Sequence, residues 1–223
     1  MYIDYCIIIF FVHIHFMRRC PASRMRESVD AMIERDSGRI RLLGLSGSLR
    51  RGSYSTAILR ELQAEVRDRA DLDLADLHLP LYNQDDEIPE APMTVLALRE
   101  AIASADGLVI STPEYNHGIP GVLKNALDWA SRPSGKSSLQ DKTTLIISNS
   151  PAFTGGVRAH AQLNETMLSV HAMILPGRQV VIGGIADKIR DGQFVDKANL
   201  SFALAAVRRL IDLREQARTT RCA

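Results

Sequence analysis

From residue 39 onward, short unbroken apolar runs alternate with longer stretches whose apolar positions recur every three or four residues. The first kind reads as buried strand and the second as helix with one face on a core. Strands are predicted at residues 39–46, 71–77, 107–112, 143–149 and 173–182, the third centred on Leu108, Val109 and Ile110. Helices are predicted at 53–69, 93–105, 121–130, 156–171 and 196–216. The first of them carries Ile58, Leu59, Leu62 and Val66 on one face. A loop at 80–92, with three prolines and many Asp, Glu, Asn and Gln residues, separates the second strand from the second helix. Strands that are apolar on both faces and alternate with helices predict an α/β domain with a parallel sheet covered on both sides. Five of them point to a doubly wound, flavodoxin-like fold. Residues 39–215 are expected to form this one domain, with 216–223 as a tail.

Such folds bind ligands outside the carboxyl ends of their strands, where the strand order reverses. The loops after the first, third and fourth strands are therefore the places to look. The first reads Gly44-Leu45-Ser46-Gly47-Ser48-Leu49-Arg50-Arg51-Gly52-Ser53-Tyr54-Ser55. Glycine backbone, hydroxyl donors and a guanidinium meeting at a helix start make a candidate phosphate cradle. It is not a Walker A loop. Gly47 and Gly52 have that spacing, but Ser53 and Tyr54 stand where Lys and Ser/Thr are needed. Nor is it the dinucleotide fingerprint, because Ser46 follows Gly44 at the position of the second glycine. The competing reading is an ordinary strand-to-helix turn that uses Gly and Ser for geometry and capping.

Composition narrows the function classes. Among 223 residues, 27 Lys and Arg stand against 26 Asp and Glu, a formal charge of +1. That balance supplies no field to attract nucleic acid or an anionic membrane. Cys6, Cys20 and Cys222 lie near the termini without metal-ligand spacing, which argues against a disulfide framework, a zinc site and a catalytic thiol. Residues 2–16 are rich in Ile, Phe and Val, but Asp4, His13 and His15 interrupt a run shorter than the ~20 residues a membrane helix needs. Arg18 and Arg19 follow the apolar stretch instead of preceding it, unlike a secretory signal. Residues 1–38 are expected to be an unstructured extension of the kind an upstream start codon leaves, with Met17, Met25 and Met32 as alternative starts. The chain reads as a cytoplasmic enzyme.

The loop and helix after the third strand run Ser111-Thr112-Pro113-Glu114-Tyr115-Asn116-His117-Gly118-Ile119-Pro120-Gly121-Val122-Leu123-Lys124-Asn125-Ala126-Leu127-Asp128-Trp129. This segment resembles the hallmark of the NADPH-dependent FMN reductase family, the flavodoxin-like group of bacterial quinone, chromate and azo-dye reductases. Pro-Glu-Tyr-Asn and the following Pro-Gly-x-Leu-Lys-Asn-Ala-x-Asp-Trp are nearly intact. The resemblance spans residues 39–214. It implies that Gly47, Ser48, Arg50 and Ser53 hold the FMN phosphate, with Tyr54 and Ser55 beside them. Ser55 stands where the family commonly places Asn. It further implies that Pro113, Glu114, Tyr115 and Asn116 lie near the isoalloxazine, Glu114 through its backbone while its side chain pairs elsewhere.

The third loop contains Ser150-Pro151-Ala152-Phe153-Thr154-Gly155-Gly156-Val157-Arg158-Ala159. It is similar to the family's Ser-Pro…Gly-Gly-x-Arg-Ala segment, which implies Ser150 and Gly155 as ring contacts. Paired glycines let backbone approach a flat ring. The alternative is a Gly-Gly helix start, with Arg158 in a subunit contact. His117 stands alone in its loop. Lys124 and Asp128, four apart, read as a local ion pair. Trp129 and Leu123 at helical spacing read as core or interface.

The function implied is hydride transfer from NADPH or NADH through bound FMN to a quinone or similar acceptor, in ping-pong order, by a homodimer or homotetramer. No metal and no protein catalytic group is implied, since flavin carries the chemistry. The apolar helix bearing Leu123, Leu127 and Trp129 is a candidate subunit contact. Two other classes share the fold: an electron-transfer protein of the flavodoxin kind, and a binding protein without catalysis.

Overall fold

A computed structural model describes residues 38–87 and 90–222. The chain divides into two units, Met1–Arg39 and Ile40–Ala223. Of the first, only Gly38 and Arg39 are described, so the expected extension lies outside the described residues.

The second unit is built on a parallel sheet. β1 (Ile40–Ser46), β2 (Ala70–Leu74), β3 (Gly107–Pro113), β4 (Thr143–Asn149) and β5 (Met173–Ile174) stand in the order β2-β1-β3-β4-β5. β6 (Val180–Ile182) also pairs with β4, further along that strand. The order reverses between β1 and β3, as in flavodoxin-like sheets. The central strands β3 and β4 are buried at every residue, which is why their middles, residues 107–110 and 145–147, read as apolar runs.

The single fifth strand expected at 173–182 is two short ones. Pro176 cannot donate to a ladder, and Gly177 sits at a φ of 135°, so the strand leaves the sheet after Ile174 and returns at Val180.

Side chains alternate between two cores. Leu42, Val109, Leu145 and Ile147 pack beneath α1 (Tyr54–Val66) and α5 (Lys197–Cys222), against Ile58, Leu62, Val207 and Leu210. Leu43, Leu45, Leu108, Ile110 and Ile146 pack on the other face with Leu98, Leu123, Leu127 and Leu163. Those four come from α2 (Met93–Ser104), α3 (Gly121–Ala130) and α4 (Val157–Ser169). α5 runs past the apolar periodicity that ends near Gln216. An ion pair at 2.7 Å between Arg218 and Asp106 ties down its last turns.

Leu123, Leu127 and Trp129 are buried within the chain's own cores, so the helix that bears them turns these three side chains inward. A small hairpin, β7 (Ile189–Arg190) and β8 (Gln193–Phe194), turns on Asp191 and Gly192, both at positive φ. Among the described residues no helix is long and apolar enough to cross a membrane.

Candidate functional site

At the carboxyl end of β1 the chain turns sharply beneath β3. The Gly47 amide donates to the Ser111 carbonyl at 2.8 Å. A Cβ on Gly47 would lie 3.1 Å from Pro113 Cδ and 3.2 Å from Thr112 Cα, so side chains larger than hydrogen crowd backbone there. Glycine at 47 thus lets the loop hug β3 before it rises to α1. Ser53 is the N-cap of α1, its Oγ accepting from the Thr56 amide at 3.2 Å. The Ser46 and Thr56 hydroxyls bond at 2.7 Å and fasten the first turn to β1.

The N–H groups of Tyr54 and Ser55, in that first turn, have no intrahelical acceptor, and the turn contains no acid. Arg50 lies over the Tyr54 ring, its guanidinium carbon 4.9 Å from the ring centre. Ser48, Arg50, Ser53, Tyr54, Ser55, Pro113, Tyr115 and Asn149 together line a cleft of about 80 Å³. Hydroxyls, a guanidinium and a helix N-terminus around one hollow form a site for a dianionic oxyanion such as the phosphate of FMN. The donor set fits that group.

The second loop is held rigidly. Tyr115 and Gly118 exchange two backbone hydrogen bonds of 3.0 Å around Asn116 and His117, which have φ of 49° and 65°. Two positive φ values in a two-residue turn are the type I′ geometry. Tyr115 is half exposed, with its hydroxyl 3.4 Å from Ser48 Oγ across the cleft.

Glu114 points away from the cleft. Its Oε2 accepts from the amides of Arg158 and Ala159 at 2.9 and 3.2 Å, capping α4, and Oε1 lies 3.6 Å from His117 Nδ1. The Arg158 guanidinium also contacts His117. His117 and Arg158 are therefore partners in a clamp between two loops. One turn further, His160 is buried, and burial pushes its imidazole below the usual histidine range.

The third loop turns partly inward. Ser150 donates its amide to the Ile182 carbonyl at 3.1 Å, and its Oγ accepts from the Ala152 amide at 3.1 Å. Gly155 has a φ of 65°, and a Cβ there would lie 2.5 Å from Val181 Cγ1. Both residues pin the loop to β6, and neither lines the cleft. Nor do Gly47, Glu114 and Asn116. Phe153, between them, is almost wholly exposed.

The rest of the long motif after β3 is scaffold. Asn125 Nδ2 and Trp129 Nε1 both donate to the Pro80 carbonyl at 2.9 Å, and Asn125 Oδ1 accepts from the Tyr82 amide at 2.7 Å. Lys124 pairs with Asp128 at 2.7 Å. Asn149 is the site residue the sequence reading lacks. A polar residue ending an apolar strand looks like the strand's stop, and its partners lie far away in the chain.

A parallel sheet in this order, with hydroxyls, a guanidinium and a helix start gathered at the reversal point, defines a flavodoxin-like protein with a candidate phosphate site. The model of the NADPH-dependent FMN reductase family matches residues 40–187. The chain belongs to that family and is an NAD(P)H-dependent FMN oxidoreductase, with FMN as cofactor and NAD(P)H as co-substrate.

An NAD(P)H-dependent FMN reductase of Pseudomonas aeruginosa is 43% identical over 140 residues, covering 61% of this chain and 75% of its own. A quinone reductase of Escherichia coli is 37% identical over 171 residues, covering 74% and 89%. Among solved structures, a flavoenzyme NAD(P)H:(acceptor) oxidoreductase from Paracoccus denitrificans is 31% identical with a TM-score of 0.72. It covers 79% of this chain and 98% of its own.

Proposed function

We propose that this enzyme passes reducing equivalents from NAD(P)H to a quinone, or to a similar small acceptor such as a free flavin, chromate or an azo compound, in ping-pong order. The observation that carries the reading is the cleft between the first and second loops, where Ser48, Arg50, Ser53 and the start of α1 converge. When bound, FMN supplies the ring that takes up hydride and hands it on. The chain's own residues bind and orient. Arg50 neutralises phosphate charge, Gly47 lets the loop pass close to β3, and the hydroxyls of Ser48, Ser53 and Ser55 donate to phosphate oxygens, with Tyr54 alongside. Pro113, Tyr115 and Asn116 flank the ring from one side, and the loop carrying Ser150 and Gly155 from the other. Glu114 holds these two walls at a fixed separation.

The quinone reductase and acceptor oxidoreductase among the relatives support the choice of acceptor. The half-exposed Tyr115 and exposed Phe153 support a ring open to solvent on one side, where donor and acceptor would take turns. Residues 39–215 are the reductase unit on this reading, in a cytoplasmic homodimer or homotetramer. The exposed side chains of Leu81 and Met93 offer apolar surface for such an assembly.

An anaerobic visible spectrum of the purified full chain, before and after NADPH, tests the reading. The expected result is a bound flavin band that NADPH bleaches and benzoquinone restores, with parallel double-reciprocal plots in steady state. A colourless protein that takes up no added FMN overturns it. A flavin that NADPH leaves coloured points instead to an electron-transfer protein.

A further inference from the structure

β4 ends in Ser148 and Asn149, and both side chains are fully buried. Polar atoms buried this deeply ordinarily have a partner in the protein, an ordered water or a ligand. Asn149 Nδ2 donates to Ser55 Oγ at 2.9 Å and to the Thr112 carbonyl at 3.2 Å, with Ser111 Oγ at 3.5 Å. The carbonyl can only accept, which fixes the amide nitrogen on that side. Asn149 Oδ1 is then left buried with no partner among the described residues. A single apolar replacement would remove that cost but leave the Ser55 hydroxyl and the Thr112 carbonyl without this donor, so the asparagine is kept for what its Nδ2 holds.

Ser55 is the other half of the pair. It is buried and lines the cleft together with Asn149. A hydroxyl has one proton and two lone pairs. One lone pair of Ser55 is taken by Asn149, and among the described hydrogen bonds its proton goes to no protein acceptor. A hydroxyl that accepts one hydrogen bond is polarised into a better donor for the next.

We infer that Asn149 is a positioning residue for phosphate recognition: by donating to Ser55 Oγ it directs the Ser55 proton into the cleft, toward the anion that Arg50 faces. The inference rests on the FMN reading above. It also gives Ser55 a role as a donor of fixed direction. The amide that steers it arrives from β4, across a sequence separation of 94 residues.

The test uses the full chain freed of flavin, titrated with FMN and with riboflavin, which lacks the phosphate. Ser55→Ala and Asn149→Ala are each expected to weaken FMN about tenfold, as loss of one hydrogen bond to a charged group does. The double variant should be no weaker than the weaker single one, and riboflavin affinity should move by less than about twofold. Asn149→Asp keeps the shape but places an acceptor and a charge against Ser55, and it should cost FMN about a hundredfold.

Multiplying losses in the double variant would overturn the coupling. Equal losses of riboflavin and FMN in Asn149→Ala would overturn the phosphate role. If Asn149→Ala does not fold, Ser55→Ala and Asn149→Asp decide by the same two criteria. A wild-type chain that binds riboflavin as tightly as FMN sinks the underlying FMN-phosphate reading instead, so the two failures are told apart.

Discussion

α1 and α4 both begin at the carboxyl edge of the sheet, after β1 and β4, but their first turns are used in opposite ways. At α4 the protein fills the positive end of the helix with its own carboxylate, Glu114, which accepts from the Arg158 and Ala159 amides. At α1 the capping side chain is Ser53, the first turn holds no acid, and Arg50 stands beside it. A helix start occupied by a protein carboxylate has no room for a second anion. One left with free donors, hydroxyls and a cation attracts one. The difference supports the proposal of phosphate binding at α1, while Glu114 at α4 ties two loops together.

Breaking each end separately separates these roles. Arg50→Ala removes the cation and leaves the fold alone. FMN affinity should fall by about 2 kcal/mol, thirtyfold or so in a fluorescence titration, with the melting temperature of the flavin-free chain unchanged. Glu114→Ala does the reverse. Losing the cap should lower stability by about 1–2 kcal/mol in chemical denaturation, with the preference for FMN over riboflavin retained.

The smallest effect concerns His160 on the first turns of α4. Its folded pKa lies below the ordinary value of 6.5 because burial disfavours the charged form. Below pH 6.5 the unfolded chain therefore binds a proton that the folded chain resists, and stability falls as pH drops toward the folded pKa. Denaturation curves at pH 7 and pH 5.5 should display this slope, and His160→Leu should flatten it.

Much of this was legible in the sequence. β3 and β4 are apolar on both faces, so period and length alone mark them as central parallel strands. The loop was legible as a candidate cradle because glycine, serine and arginine fall between a strand and a helix. The remainder depends on contacts that local pattern does not encode. The resemblance implies that the Glu114 side chain pairs away from the flavin, but its partner, the start of a helix more than forty residues later, is not written in the local pattern. Asn149 acquires meaning only when folding sets Ser55 and Thr112 against it.

Two breaks in the later part of the chain are written in its turn residues. Pro176-Gly177 splits the fifth strand, and Asp191-Gly192 is a strong hairpin turn signal. The three-residue length of β6 and the two-residue strands around Asp191-Gly192 are too short for periodicity to register.

The most direct test of the central claim is the ratio of riboflavin to FMN dissociation constants, measured by calorimetry on the flavin-free full chain, Arg50→Ala and Glu114→Ala. The account predicts FMN at least tenfold tighter than riboflavin in the wild type, a preference largely erased by Arg50→Ala and kept by Glu114→Ala. A preference that survives Arg50→Ala and disappears with Glu114→Ala would place the phosphate at α4 and contradict it.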